Sequence, residues 1–242
     1  MIELVAHSGG VQGGVVDEAL GGEVRDELWW LARQVSLDPI TEGPARRSDF
    51  RIGDGVSFYS DVLGDAALNS QQSGALMRLT DLAEKVLLDI GVDVSGCSVG
   101  ARVYAYPAST GLGWHIDAGS GDGRTRGAFT YYLNPSWGAR WGGELLLADR
   151  IVGIRAGLSD TRAASDGAGL SLQRAHNDLA WDREEEVVES ICAGTFVLPK
   201  SDRLVVIPPD IPHCVRPVTS AAGENLRVAI AGFFRAPRSI RD

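Results

Sequence analysis

The sequence predicts a mainly β protein: an antiparallel, double-sheet jelly-roll barrel with two helical segments supporting one face. Three observations lead there. Two stretches in the first ninety residues, Glu23 to Val35 and Asn69 to Ile90, carry apolar residues at helical spacing. From Val94 the period changes to two, the signature of half-buried strands. About eight such short runs follow, rich in β-branched and aromatic residues and separated by turns, as a closed or double-layered β architecture requires.

Taken in order, the chain opens on a short apolar run and a turn at Ser8-Gly9-Gly10. Val24, Leu28, Leu31 and Val35 then mark the first helix, and Trp29 and Trp30 thicken its apolar face. Gly43 to Asp65 is polar and Gly-rich, an irregular connection with a short strand at Val56 to Tyr59. Leu76, Leu79, Leu82, Ala83 and Val86 define the second helix, which stops at Gly91. In Val99 to Tyr106, Val103 and Ala105 share one strand face and Tyr104 and Tyr106 the other. A strand carrying His115 comes next, then a polar loop from Ala118 to Gly127, a strand at Ala128 to Asn134 and another at Gly143 to Leu147. Arg150 to Gly194 reads as an insertion, part flexible loop and part helix. Thr195 to Leu198, Arg203 to Ile207, His213 to Val218 and Leu226 to Phe234 are the last four strands, before a basic tail. The expectation is one domain over residues 1–242: supporting helices and loops in 1–93, and a barrel core in 94–236 with the insertion at about 150–194.

The bulk numbers narrow the function. A formal charge of −9 argues against a general nucleic-acid or anionic-membrane binder, because nothing neutralises phosphate in bulk. Cys97, Cys192 and Cys214 are widely spaced and odd in number, so no disulfide framework is expected and a reducing compartment is. With no leader-like N-terminus and no run of membrane-spanning length, the reading is a soluble cytoplasmic protein.

The chemistry concentrates at Trp114-His115-Ile116-Asp117. In an extended strand, residues two apart project to the same side, so an imidazole and a carboxylate would stand together. A third donor must come from elsewhere, and His213 is the one in a strand-like context. Two histidines and one carboxylate leave half of the coordination sphere open, the facial triad of non-haem Fe(II) oxygenases. The chain has four histidines; His176 lies in a polar piece of the insertion and His7 near the terminus, so both read as surface residues. Arg227 opens an apolar strand and is followed on its face by Ala229 and Ala231, which leave room beside it. A buried guanidinium there needs an anion, and its fork matches a carboxylate. A strand-end pair with Glu224 at the surface fits the sequence equally well.

Read together, His115-Ile-Asp117, Tyr132-Leu133-Asn134, Gly142-Gly143-Glu144-Leu145, His213-Cys-Val215-Arg-Pro217-Val218 and Arg227 resemble the Fe(II)/2-oxoglutarate-dependent dioxygenase superfamily, and its prolyl 4-hydroxylase-like branch in particular. The resemblance spans about Val99 to Phe234, broken by the insertion, and implies a double-stranded β-helix of the cupin-like type. It implies His115, Asp117 and His213 as iron ligands and Arg227 as the partner of the distal carboxylate of 2-oxoglutarate. Tyr106, or else Tyr104, with Thr130 or Tyr132, would complete the co-substrate site. Many relatives carry Arg-x-Ser where this chain has Ala229, so one hydroxyl contact is missing. Fe(II), 2-oxoglutarate and O2 are the implied cofactors, with ascorbate as reductant and succinate and CO2 as products. Halogenases of the superfamily have Ala or Gly at the position of Asp117, so the carboxylate here favours hydroxylation. Trp114, Trp137, Arg124 and Arg126 are the candidates for substrate contact. The expected substrate is a small molecule such as an amino acid or natural-product intermediate; a peptidyl-prolyl or other protein hydroxylase, and a non-catalytic cupin-like binding module, are the alternatives.

Overall fold

The computed structural model of the chain describes residues 2–7, 10–39, 56–63, 70–117, 124–148 and 194–237. The expected insertion (apart from Gly194), the loop at 118–123, His176, and the side chain of His7 lie outside them.

The strands are β1 (Ile2–His7), β2 (Gly10–Val16), β3 (Asp38–Pro39), β4 (Phe58–Tyr59), β5 (Ser98–Tyr106), β6 (Leu112–His115), β7 (Thr125–Tyr132), β8 (Leu145–Ala148), β9 (Gly194–Val197), β10 (Arg203–Ile207), β11 (His213–Val215) and β12 (Arg227–Arg235). The helices α1 (Gly22–Gln34) and α2 (Ser70–Asp89) fall where the helical spacing placed them. Eight strands of the larger sheet run in the order β1-β2-β10-β7-β12-β5-β4-β3, and four of the smaller in the order β6-β11-β8-β9. All pairings are antiparallel, and the two sheets give the double-stranded β-helix arrangement.

Two cores follow from strand alternation. Val103, Ala105, Phe129, Tyr131, Val228 and Ile230 face the helices and pack with Leu28, Leu79 and Leu87. Their sequence neighbours face the smaller sheet, where Ala128, Tyr132, Leu145, Val205, Val215 and Ala229 form the second core. Each residue pair on β5, β7 and β12 thus splits between a packed helical side and a side that looks into the barrel.

Three expectations change. The first ninety residues are more than helical support, because the β1–β2 hairpin extends the larger sheet, with Val15 and Val16 paired to β10. The strand expected from Ala128 begins at Thr125, so Arg126 belongs to β7 and not to the polar loop. The strand that carries His115 ends there, and Asp117 sits beyond it in a 3-10 turn. Same-face alternation along one strand therefore does not bring the two together.

Candidate metal centre and co-substrate pocket

His213 and His115 are direct cross-strand partners on β11 and β6. Their rings lie 4.2 Å apart. The 3-10 turn after β6 carries the Asp117 carboxylate back towards both: its oxygens are 3.8 Å from His115 Nε2 and 3.6 Å from His213 Nε2. One donor atom from each residue fits within 4.8 Å of the others.

The donor chemistry suits a cation. His115 Nδ1 bonds the carbonyl of Gly113 at 2.8 Å, and His213 Nδ1 that of Ile211 at 2.9 Å. A carbonyl only accepts, so each Nδ1 carries a proton and each Nε2 is the ring atom turned to the Asp117 carboxylate. Backbone carbonyls commonly orient metal-bound histidines in this way. Burial, with His213 beside it, pushes the His115 pKa down to about 4, which keeps that imidazole neutral. The Nε2 lone pair of neutral His115 and the Asp117 carboxylate thus aim at one another across a distance too long for a hydrogen bond. A divalent ion between them relieves that repulsion.

The second feature of the site is Arg227, 1% exposed at the start of β12. Its Nε and Nη2, and the hydroxyl of Tyr132, are buried without a hydrogen-bond partner. The Tyr106 and Tyr132 rings lie 5.1 and 5.0 Å from its Cζ. Glu224 is exposed, and among the described residues no carboxylate pairs with this guanidinium, so the surface ion pair is excluded. Cation–π contact offsets only part of the cost of an unpaired buried charge. An anion completes it.

Two features missed in the sequence fix this arginine. The Asn134 amide donates to the carbonyl of Leu226 and its oxygen accepts the N–H of Val228, both at 2.7 Å, so it grips the backbone on either side of Arg227. Gly143, at φ 72°, lies against the Arg227 stem; a Cβ there would come within 2.7 Å of Arg227 Cδ. The Tyr-Leu-Asn and Gly-Gly-Glu sequences were visible as motifs, but only the fold links them to Arg227.

A cavity of about 560 Å³, counting its open mouth, joins the two features. Its wall includes the triad, Arg227, Tyr104, Tyr106 and Thr130. Tyr132 stays behind at the guanidinium and is not part of the wall. None of Trp114, Trp137, Arg124 and Arg126 lines it among the described residues. Trp137 packs edge-on against Trp141 at 5.1 Å and donates its indole N–H to the Gly142 carbonyl at 2.8 Å, a structural role. Arg124 donates to the carbonyl of Ala236 at 3.1 Å, and Arg126 is exposed on β7.

The sequence profile described as "2OG-Fe(II) oxygenase superfamily" matches residues 101–235, more than half of the chain. The chain belongs to that superfamily. The oxygenase accordingly works with Fe(II), 2-oxoglutarate and O2, and the residues just described fit a divalent ion and a dicarboxylate. No curated protein matches the chain. Among solved structures, a Pseudomonas putida prolyl-4-hydroxylase is similar at 16% identity, with 94% of each chain covered and a TM-score of 0.60. A Trichoplax adhaerens prolyl hydroxylase, solved with a hypoxia inducible factor peptide fragment, is 18% identical, covering 91% of this chain and 82% of that one (TM-score 0.55). The non-haem alpha-ketoglutarate-dependent epimerase SnoN from nogalamycin biosynthesis is 14% identical, covering 93% and 78% (TM-score 0.57). At these identities the likeness carries the fold. No helix among the described residues is long and apolar enough to cross a membrane.

Proposed function

We propose that the oxygenase hydroxylates an unactivated C–H bond of a small molecule, such as an amino acid or natural-product intermediate. The observation that carries the reading is the convergence, in one cavity, of a His pair, a carboxylate and a buried guanidinium that meets no carboxylate among the described residues. His115, Asp117 and His213 would hold Fe(II), a donor set that supplies three ligands. Bound Fe(II), with 2-oxoglutarate and O2, supplies an oxidation that releases succinate and CO2. Arg227 receives the distal carboxylate of 2-oxoglutarate, and Tyr106 stands beside it. Burial holds Tyr106 and Tyr132 above the ordinary tyrosine pKa, so both act as neutral hydroxyl donors. Leu145, Ile207, Val215 and Ala229 keep the intervening wall apolar and limit water around the reacting atoms.

The peptidyl-prolyl alternative rests on likeness to prolyl hydroxylases, which at 16–18% identity does not reach the substrate. The test is Fe(II) titration, with succinate measured from 2-oxoglutarate in air and under nitrogen. Wild-type protein should bind one equivalent of Fe(II) and release succinate only in air, while His213→Ala should do neither. Absence of both from the wild type would leave the non-catalytic binding module standing. A metabolite screen scored by succinate release then separates small molecules from proline-containing peptides.

A further inference from the structure

One side of β12 reads Arg227, Ala229, Ala231, Phe233, Arg235; the first four line the cavity, and Arg235 is exposed at the strand end beyond them. A cation stands at each end, two alanines lie between, and only the first cation belongs to the co-substrate site. Across the strand pair, Arg227 meets Tyr106, Ala229 meets Tyr104, Ala231 meets Arg102 and Arg235 meets Ser98. Tyr104 and Arg102 therefore continue the Tyr106 face of β5 away from Arg227, towards Arg235.

This far end is built from aromatic rings and guanidinium groups. The Arg102 Cζ lies 5.1 Å from the Tyr59 ring, and Nη1 donates to the Ser60 carbonyl at 3.0 Å. Tyr59 in turn stacks on Tyr104, a cavity-wall residue, with centroids 6.5 Å apart. The Arg235 Cζ lies 5.7 Å from the ring of Phe233, also on the wall. Tyr104 senses both cations as well as Asp117: burial holds its hydroxyl protonated, with Arg102 and Arg235 pulling the other way. Neither Arg102 nor Arg235 meets a carboxylate among the described residues, so no protein anion competes for either guanidinium.

We infer that the primary substrate carries an anionic group, a carboxylate or a phosphate, held by Arg102 and Arg235, with an apolar body lying over Phe233 and Tyr104. Arg227 and Arg235 are eight residues apart on one strand, roughly 26 Å, which leaves room for a co-substrate and a substrate end to end around the iron. Guanidinium groups suit oxyanions through their planar donor fork, and the aromatic faces beneath them keep both forks oriented. The inference deepens the small-molecule oxygenase reading and rests on it.

The experiment uses the protein loaded anaerobically with Fe(II) and saturating 2-oxoglutarate, titrated calorimetrically with 3-phenylpropanoate, 3-phenylpropyl phosphate and 3-phenylpropanamide. One or both anionic probes should bind at least tenfold more tightly than the neutral amide. Arg102→Gln and Arg235→Gln should each reduce that preference several-fold, Arg102→Lys should restore part of it, and the double variant should abolish it. The affinity of each variant for 2-oxoglutarate reports on folding. Equal binding of amide and anions, no binding of any probe, or a preference that survives the double variant would each overturn the assignment; relative affinities of carboxylate and phosphate then say which anion fits. Oxygen-dependent succinate release by the wild type without substrate tests the oxygenase reading separately, so a failure of the anion site is not mistaken for a failure of the enzyme.

Discussion

Tyr131 and Tyr132 are neighbours on β7, both fully buried, and they face opposite ways. On the helical side, the Tyr131 hydroxyl donates to Asp202 at 2.7 Å, and the same carboxylate accepts the N–H groups of Leu20 and Gly21 just ahead of α1. On the barrel side, the Tyr132 hydroxyl and the Arg227 guanidinium beside it have buried polar atoms with no partner. Two arginines repeat the contrast. Arg203 on β10 clasps Asp17 with Nε and Nη2 at 2.6 and 2.9 Å, whereas Arg227 clasps nothing among the described residues. Buried polar groups in folded proteins are nearly always satisfied. Where the tyrosine on one side of a strand has its partner and its neighbour on the other side, with the arginine beside it, has none, the second side is the one shaped for a ligand.

The sharpest way to break this contrast is Arg227→Gln. If the guanidinium awaits 2-oxoglutarate, the variant should bind it roughly 100-fold more weakly, about 3 kcal/mol, with Fe(II) affinity nearly unchanged. Ligand-free stability should hold or rise, because an uncompensated buried charge has gone. Parallel loss of iron and 2-oxoglutarate binding, with a lower melting temperature, would instead mark Arg227 as structural.

Next in size are the two groups that place the arginine. Asn134→Ala removes both backbone bonds beside Arg227, and Gly143→Ala sets a methyl against its stem. Each should weaken 2-oxoglutarate about tenfold. Asn134→Ala should also cost about 2 kcal/mol of stability for the two backbone groups it strands. The split between a raised KM for 2-oxoglutarate and an unchanged iron affinity, measured by titration, separates positioning from general damage.

The two tyrosines give a matched pair with a smaller effect. Tyr131→Phe loses a buried charge-assisted bond and should cost about 1.5 kcal/mol in denaturant unfolding, leaving 2-oxoglutarate affinity alone. Tyr132→Phe should leave stability unchanged and weaken 2-oxoglutarate a few-fold. Equal effects of the two substitutions on either quantity would erase the distinction between the faces.

Much of this was legible in the chain. Short β-branched and aromatic runs between turns mark the strands after the helices, and the scarcity of histidine singles out His115 and His213. The small residues after Arg227 point to space beside it. Other features depend on partners far away in sequence. The β1–β2 hairpin escapes notice because Gly13 and Gly14 replace the usual β-branched residues; a Cβ at Gly14 would come within 2.9 Å of Val86 on α2, so packing selects against strand-like composition there. Asp202 reaches residues 181 and 182 positions earlier, and Asn134 reaches Leu226 across 92. No local pattern carries such links. Asp117 misleads for the opposite reason: a local rule, strand alternation, gives the right neighbour by the wrong geometry, since a turn delivers the carboxylate.

The smallest test concerns the satisfied arginine. Arg203, with Lys200, draws the Asp17 pKa from 3.8 down to about 2, chiefly through the Arg203 hydrogen bonds. A depressed folded-state pKa means the unfolded chain takes up a proton first as pH falls, so the pair's contribution is fully present above pH 4 and is lost between about 4 and 2. Asp17 is 39% exposed, so solvent screening holds the contribution below about 1 kcal/mol. Asp17→Asn should therefore lower stability slightly at pH 7 and converge on the wild type near pH 2, as read by urea unfolding across that range. Arg227→Gln should show no such convergence, because Arg227 has no protein carboxylate whose protonation could release it; an acid limb shared by both variants would mean that Arg227 has an acidic partner after all.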